Sequence, residues 1–199
     1  MIRVSGMVRA GFAALVLFVA GNLSPAVAAA DKAWPIDHVL GNPNAPITII
    51  EYASLTCPHC AAFAEEVFPK LKAEWLDTGK AKLIYRDFPT DIGAQAAALI
   101  VHCSGDRYFS FLETLFHRQD QWKRSSNPMA SLKALAMFGG MPGDAVDKCF
   151  ADTALLNQIQ ARMQEGEKTY AINSTPSFII NGKLLEGALP YDQFVQHLK

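Results

Sequence analysis

The sequence predicts an α/β fold in which a βαβ unit and a ββα unit flank a block of helices. Three observations carry that expectation. Ile47 to Tyr52 and Lys82 to Phe88 are short β-branched and apolar runs on either side of a helical pattern, the order expected of a parallel strand pair joined by a crossover helix. From Asp91 to Tyr170 the pattern is helical, with Gly105, Gly139 and Gly140 as stops and Asn127-Pro128, Met141-Pro142 and Asp152 as starts, which makes about four or five helices. Ser177 to Asn181 and Lys183 to Glu186 then flank Asn181-Gly182, the strongest short hairpin signal.

Taken in order, residues 31–46 carry Pro35, Gly41, Pro43 and Pro46 and read as an extended lead-in with turns. The run from Ile47 is apolar on both faces until Glu51, as in a strand covered from two sides. Residues 57–77 read as a helix. Pro58 suits its first turn, and Ala61, Ala64, Val67, Phe68, Leu71 and Trp75 recur at helical spacing. Pro69 inside it removes a backbone bond and should kink it. A last helix runs from Pro190 to about Leu198, with Tyr191, Phe194, Val195 and Leu198 on one face.

Residues 1–30 differ from the rest. Arg3 and Arg9 precede an apolar run from Gly11 to Ala20, followed by Gly21, Pro25 and small residues up to Ala30. That is the build of a secretory signal peptide, with cleavage after Ala28 or Ala30. The apolar run falls short of the roughly 20 residues that span a bilayer. Removing the segment takes away two positive charges, so the mature net charge is 16 − 19 = −3. A mildly acidic surface without a basic run argues against a nucleic-acid partner.

Export sets how the four cysteines are read, since thiols in an oxidising compartment tend to pair. Cys57-Pro58-His59-Cys60 falls at a strand-to-helix turn. Its spacing lets two sulfurs close a small ring, and its position puts Cys57 against the unpaired N–H groups and positive dipole end of a helix. Both favour thiolate over thiol, and a protonated His59 would add to them. Cys60, one turn in, is shielded and reads as the resolving thiol. A c-type haem site needs His after the second Cys, and position 61 is Ala. A zinc site needs a second close pair of ligands, and Cys103 and Cys149 do not form one. A purely structural bridge across so small a ring would restrain little chain. Redox chemistry remains.

The stretch Glu51-Tyr52-Ala53-Ser54-Leu55-Thr56-Cys57-Pro58-His59-Cys60 resembles the active-site region of the DsbA family of bacterial periplasmic dithiol oxidases, and Ser174-Thr175-Pro176-Ser177-Phe178 resembles that family's cis-proline loop. The resemblance covers essentially the whole mature chain, residues 31–199. It implies a thioredoxin-like fold with residues 33–90 and 171–199 as its core and about 91–170 as a helical insertion. It implies that Cys57 is the nucleophile and Cys60 the resolving cysteine, and that Pro58 and His59 belong to the oxidising form of the motif. Thr175-Pro176 should be a cis bond packed against the pair, and Glu51 a buried acid that assists proton transfer. Thr175 departs from the aliphatic residue that strong oxidases of the group often carry, and its hydroxyl can donate to the cysteine sulfur.

An oxidant is a disulfide whose reduced form is unusually stable, so a stabilised thiolate is the source of oxidising power. The function expected is therefore disulfide introduction into unfolded or folding exported proteins in the periplasm, with reoxidation by a membrane-bound, quinone-linked partner implied by the family. The protein is expected to be a monomer without cofactor or metal. An isomerase or reductase of the same fold is the first alternative, against which stand the roughly sixteen residues between cleavage site and first strand, too few for a dimerisation domain. A periplasmic metal-handling protein using the same sulfurs is the second. Cys103 and Cys149 are either two buried thiols or, as export favours, a structural disulfide within the helical block. His38, His102, His117 and His197 read as surface or core residues, and Met129, Met137, Met141 and Met163 as core. Leu184, Leu185, Ala188, Leu189 and Tyr191 are candidates for one edge of a peptide-binding surface.

Overall fold

The structure, a computed structural model, describes residues 34–199 and Met1; the expected signal segment lies outside the described residues. Strand β1 (His38–Gly41) is followed by β2 (Ile47–Ala53) and a long helix, α1, over residues 58–76. Strand β3 (Ala81–Asp87) then leads into the insertion. Its helices are α2 (Ile92–Cys103), α3 (Tyr108–His117), α4 (Gln119–Lys123), α5 (Pro128–Phe138), α6 (Gly143–Phe150) and α7 (Thr153–Tyr170). The hairpin β4 (Ser177–Ile180) and β5 (Lys183–Glu186) and a short α8 (Tyr191–Phe194), continued as a 3₁₀ turn over Val195–Leu198, end the chain.

The sheet order is β1-β3-β2-β4-β5. Strands β2 and β3 are parallel, with Glu51 opposite Tyr85, and the other pairs are antiparallel. The central strand is covered on both faces, as its composition requires. Ile49 packs with Phe63, Val67 and Leu71 of α1 and Phe194 of α8. Ile50 and Tyr52 face the other way, towards Tyr170 at the end of α7. Gly166 lets α7 approach: a Cβ there would fall 2.6 Å from Cε1 of Tyr52. The insertion has its own core, in which Ile100, Leu112, Leu115, Trp122, Leu132 and Val146 pack together with Leu55 and Cys60.

Two expectations need correction. The lead-in contains a strand, β1, paired antiparallel with β3; its four residues are too few to show a period. The insertion holds six α-helices among the described residues, because Arg118, at φ −107° and ψ 15°, breaks what reads as one helix into α3 and α4. Pro69 follows a π-helical stretch, Phe63–Val67, in which the Phe68 N–H reaches back to the Phe63 carbonyl. That wider turn lies ahead of the proline, where its ring would meet the carbonyl four residues back.

The hairpin turn follows its sequence closely. Asn181 and Gly182 both have positive φ, 49° and 77°, as a type I′ turn requires. Beneath the sheet lies a buried ionic network. Arg86 of β3 pairs with Asp37 at 2.8 Å, and Arg162 of α7 reaches both Asp37 and Asp87 at 3.0 Å. His102 meets Asp87 at 2.8 Å, while Arg86 donates to the Tyr52 hydroxyl at 2.9 Å. The network joins the lead-in, the sheet, α2 and α7.

Candidate active site

Cys57 is the N-cap of α1 and has an extended backbone, φ −78° and ψ 122°. Its N–H donates to the Ser54 carbonyl at 3.0 Å, which closes a tight turn between β2 and the helix. Pro58 occupies the first helical position, where its missing N–H costs nothing. Cys57 is half-buried, Pro58 and His59 are exposed and Cys60 is fully buried. Both cysteines of the motif are free thiols here. The helix therefore presents one sulfur to the surface and keeps the other inside.

The Thr175-Pro176 bond is cis, and its loop lies against the pair. The Cys57 thiol donates to the Thr175 carbonyl oxygen at 3.3 Å. The Cys57 pKa is held down at about 5. A hydrogen bond from the Cys60 thiol is the largest cause, burial opposes it, and the Thr175 side chain and the N–H groups of Cys60 and His59 add to it. His59 thus acts on the sulfur through its backbone, while its imidazole faces solvent. The Cys60 thiol is pushed well above the ordinary thiol range by burial, by its hydrogen bond to Cys57 and by the neighbouring charge. The two sulfurs are separated in acidity by their surroundings alone.

Glu51 is 4% exposed, and burial raises its pKa to about 8. It lies on β2 at the foot of an apolar pocket lined by Phe63, Phe68, Phe109, Leu112 and Phe116, with Glu113 also in the lining. A carboxyl in such surroundings stays protonated at neutral pH. Once ionised, above that value, it raises the Cys60 thiol further.

The remaining sequence candidates separate. Cys103 and Cys149 are joined as a disulfide between α2 and α6, with Cα atoms 6.2 Å apart. His102 is held by Asp87, His38 stacks on Tyr108 with ring centroids 3.8 Å apart, and His117 and His197 are on the surface. Met141 is buried, but Met129 and Met137 are exposed on α5, which corrects their reading as core. Helical spacing cannot tell which face of a helix is covered. Ala188, Leu189 and Tyr191 line a groove with His59, Ala62, Phe63 and Val67; like Leu185, which lies outside it, they are partly buried against the core.

Sequence reading missed a set of polar residues that hold the turn before Cys57. Thr56 donates its hydroxyl to Asp91 at 2.6 Å, and Ser54 bonds Thr90 at 3.0 Å. From α4, Gln119 donates to the carbonyls of Leu55 and Cys57 at 2.9 and 3.0 Å, and Lys123 donates to that of Thr56 at 2.6 Å. No motif marks them, because they come together only when the insertion folds against the sheet.

Sheet order, inserted helices and a dithiol at a helix N-terminus define the fold and motif of the thioredoxin-like thiol–disulfide oxidoreductases. A family model described as Thioredoxin matches residues 34–199. Wolbachia pipientis alpha-DsbA1 is 32% identical in sequence and superposes with a TM-score of 0.80 over 85% of this chain and 92% of that one. A protein-disulfide isomerase structure from Novosphingobium aromaticivorans is 27% identical, with a TM-score of 0.72 over 82% and 98% of the two chains. A Rickettsia bellii protein provisionally named a protein-disulfide oxidoreductase is 32% identical over 148 residues, 73% of this chain and 57% of that one. The chain thus spans just over half the length of that curated relative. The chain belongs to the DsbA family of thioredoxin-like oxidoreductases.

Proposed function

We propose that this protein is an exported oxidase that introduces disulfides into folding polypeptides through Cys57 and Cys60. The observation that carries this reading is the placement of Cys57 at the N-cap of α1, where its pKa falls to about 5, beside a buried Cys60 that resists ionisation. A reduced form stabilised in this way makes the disulfide form an oxidant.

In the forward direction, a client thiolate attacks the Cys57 sulfur of the Cys57–Cys60 disulfide. A client–Cys57 bond forms, the Cys57–Cys60 bond breaks, and Cys60 leaves with the electron pair. The protonated carboxyl of Glu51 is the proton source for that buried leaving group. A second client thiolate then attacks the client sulfur of the mixed disulfide, and Cys57 departs as the stabilised thiolate. The client has lost two electrons and the protein has gained them; reoxidation falls to a membrane-bound, quinone-linked partner. The groove beside His59, with Ala188, Leu189 and Tyr191 on its far wall, offers an apolar surface to an extended client segment.

Export to the periplasm rests on residues 1–30. Among the described residues, no helix is long and apolar enough to cross a membrane, and no three His, Cys, Asp or Glu side chains are grouped so that they could hold a metal ion. The charge and the single covered sheet support a monomeric protein acting on polypeptides and not on nucleic acid.

A redox titration against glutathione tests the direction. A midpoint above about −180 mV marks an oxidase, whereas one close to about −270 mV would make the protein a reductase. Thr175 before the cis proline and the isomerase name of the Novosphingobium neighbour favour isomerase activity as the second reading. Refolding assays separate the two: an oxidase acts on a reduced client, an isomerase on a scrambled one.

A further inference from the structure

The turn Ser54–Cys57 aims the nucleophile, and its three last carbonyls are all held by one short helix of the insertion. Gln119 is 4% exposed and spends both hydrogens of its amide, one on Leu55 and one on Cys57. Lys123, four residues on and therefore on the same face of α4, donates to the Thr56 carbonyl between them. Trp122, 1% exposed, anchors the helix by donating to the Leu115 carbonyl at 2.9 Å. On the other side of the turn, Asp91 receives the Thr56 hydroxyl and also caps α2 by accepting from the Ala94 N–H. The turn is gripped from both sides by the insertion.

We infer that Gln119 and Lys123 are positioning residues for the thiol–disulfide chemistry: by fixing the carbonyls of residues 55–57, α4 sets the peptide planes on both sides of Cys57 and so holds its sulfur at the N-terminus of α1. Neither side chain needs to touch the sulfur. The physical reason is angular. A peptide unit is planar, so a carbonyl held in place fixes the whole unit up to the nitrogen of the following residue, which after Cys57 is the hydrogen-free nitrogen of Pro58. Holding the carbonyls of Thr56 and Cys57 therefore fixes the planes on both sides of the nucleophile and the start of α1. Without the clamp the Leu55 and Thr56 carbonyls turn to find water, and Cys57, whose carbonyl then keeps only the Ala61 N–H at 3.2 Å, loses its set angle to the helix. Lys123 also sets a positive charge against the row of carbonyl oxygens, whose negative ends would otherwise stand unopposed beside a thiolate.

The inference rests on the reading of Cys57 as the nucleophile. The test uses Gln119→Leu, Lys123→Met and Lys123→Arg in the full mature chain. Three quantities are read in each: the Cys57 titration by thiolate absorbance, the equilibrium constant with glutathione, and the denaturant midpoints of the reduced and oxidised forms. Gln119→Leu and Lys123→Met should raise the Cys57 pKa by about half a unit to one unit, which weakens the protein as an oxidant by about three- to tenfold. They should also narrow the gap between the reduced and oxidised midpoints, because the reduced form alone has the thiolate to lose. Lys123→Arg should restore all three. A purely structural role would lower both midpoints equally and leave the titration unmoved, and that result would overturn the inference. If the unsubstituted protein shows no low-pKa thiolate, or is alkylated first at Cys60, the nucleophile assignment itself fails, a result distinct from the clamp's failure.

Discussion

The Cys57 thiol donates to the carbonyl oxygen of Thr175 at 3.3 Å, so one hydrogen bond joins residues 118 positions apart in the chain. The contact places the reactive sulfur against the loop that precedes β4. Under the proposed function, a client that reaches Cys57 meets residues 174–176 as well, and several outcomes follow from this geometry.

Cys57→Ser should abolish exchange. Cys60→Ser should instead trap mixed disulfides with clients through Cys57, because only Cys57 is both accessible and ionised near neutral pH. Non-reducing gels followed by mass spectrometry identify the sulfur that carries the client. Clients recovered on Cys60 would reverse the two roles.

The reduced protein should be more stable than the oxidised one, by an amount that depends on pH. Cys57 has a folded pKa of about 5 against an ordinary 9.0. A depressed acid contributes stability that is complete above the unfolded value and is lost as pH falls through the folded one. The gap between the two redox states should therefore open between pH 5 and 9 and close below. At pH 7 it should be about 1–2 kcal/mol, allowing for solvent screening of a half-exposed sulfur. Paired denaturant titrations measure it, and a more stable oxidised form would contradict the oxidase reading.

Glu51→Gln should slow the step that releases or ionises Cys60 by about a hundredfold, the lower range for a positioned proton donor. It should also change the pH profile of stability. Glu51 is raised from 4.5 to about 8, so its contribution is full below the unfolded value and is lost as pH rises through the folded one. The wild-type protein should lose stability over that window and the glutamine variant should not. Stopped-flow exchange and chemical denaturation at several pH values provide both readings.

Cys103 and Cys149 close a loop with a separation of 46 residues. Peptide mapping of the unreduced protein should recover the two cysteines in one linked fragment. Replacing both with Ala should cost up to about 4 kcal/mol in the chain-entropy model. The motif cysteines should remain reactive, because the bridge lies between α2 and α6 and not at the N-terminus of α1. A doubly alkylated, unlinked pair would remove the bridge.

Arg162→Met should destabilise the fold by about 3–5 kcal/mol, the usual cost of breaking a buried ion pair from one side. Arg162 is 0% exposed and pairs with Asp37 and Asp87, neither of which can reach water easily. The Asp87 pKa is lowered despite burial, because His102 and Arg162 hold its charge. A melting temperature unchanged in the variant would show that the network contributes little.

Much of the site was legible because its chemistry is local. Cys57 and Cys60 are three positions apart on one turn, so spacing alone put one sulfur at the helix end and the other inside. Asn181-Gly182 announced its hairpin through backbone conformation, and the runs Ile47 to Tyr52 and Lys82 to Phe88 announced their strands through composition. Boundaries were displaced where several weak signals competed: β1 was too short to show a period, and Arg118 divided a helix that the pattern leaves whole.

The sequence by itself determined the secondary structure around the dithiol, the order of its units and the placement of Cys57 at a helix N-terminus with Cys60 one turn in, since each depends on neighbours within a turn or two. Only the tertiary structure decided what surrounds that pair. Burial raises the Glu51 carboxyl to about 8, Thr175 reaches Cys57 across 118 positions, and Gln119 and Lys123 grip the carbonyls of residues 55–57. Hydrogen-bond partners and desolvation are properties of places in space, and residues far apart in the chain acquire them only when the sheet and the insertion close on one another.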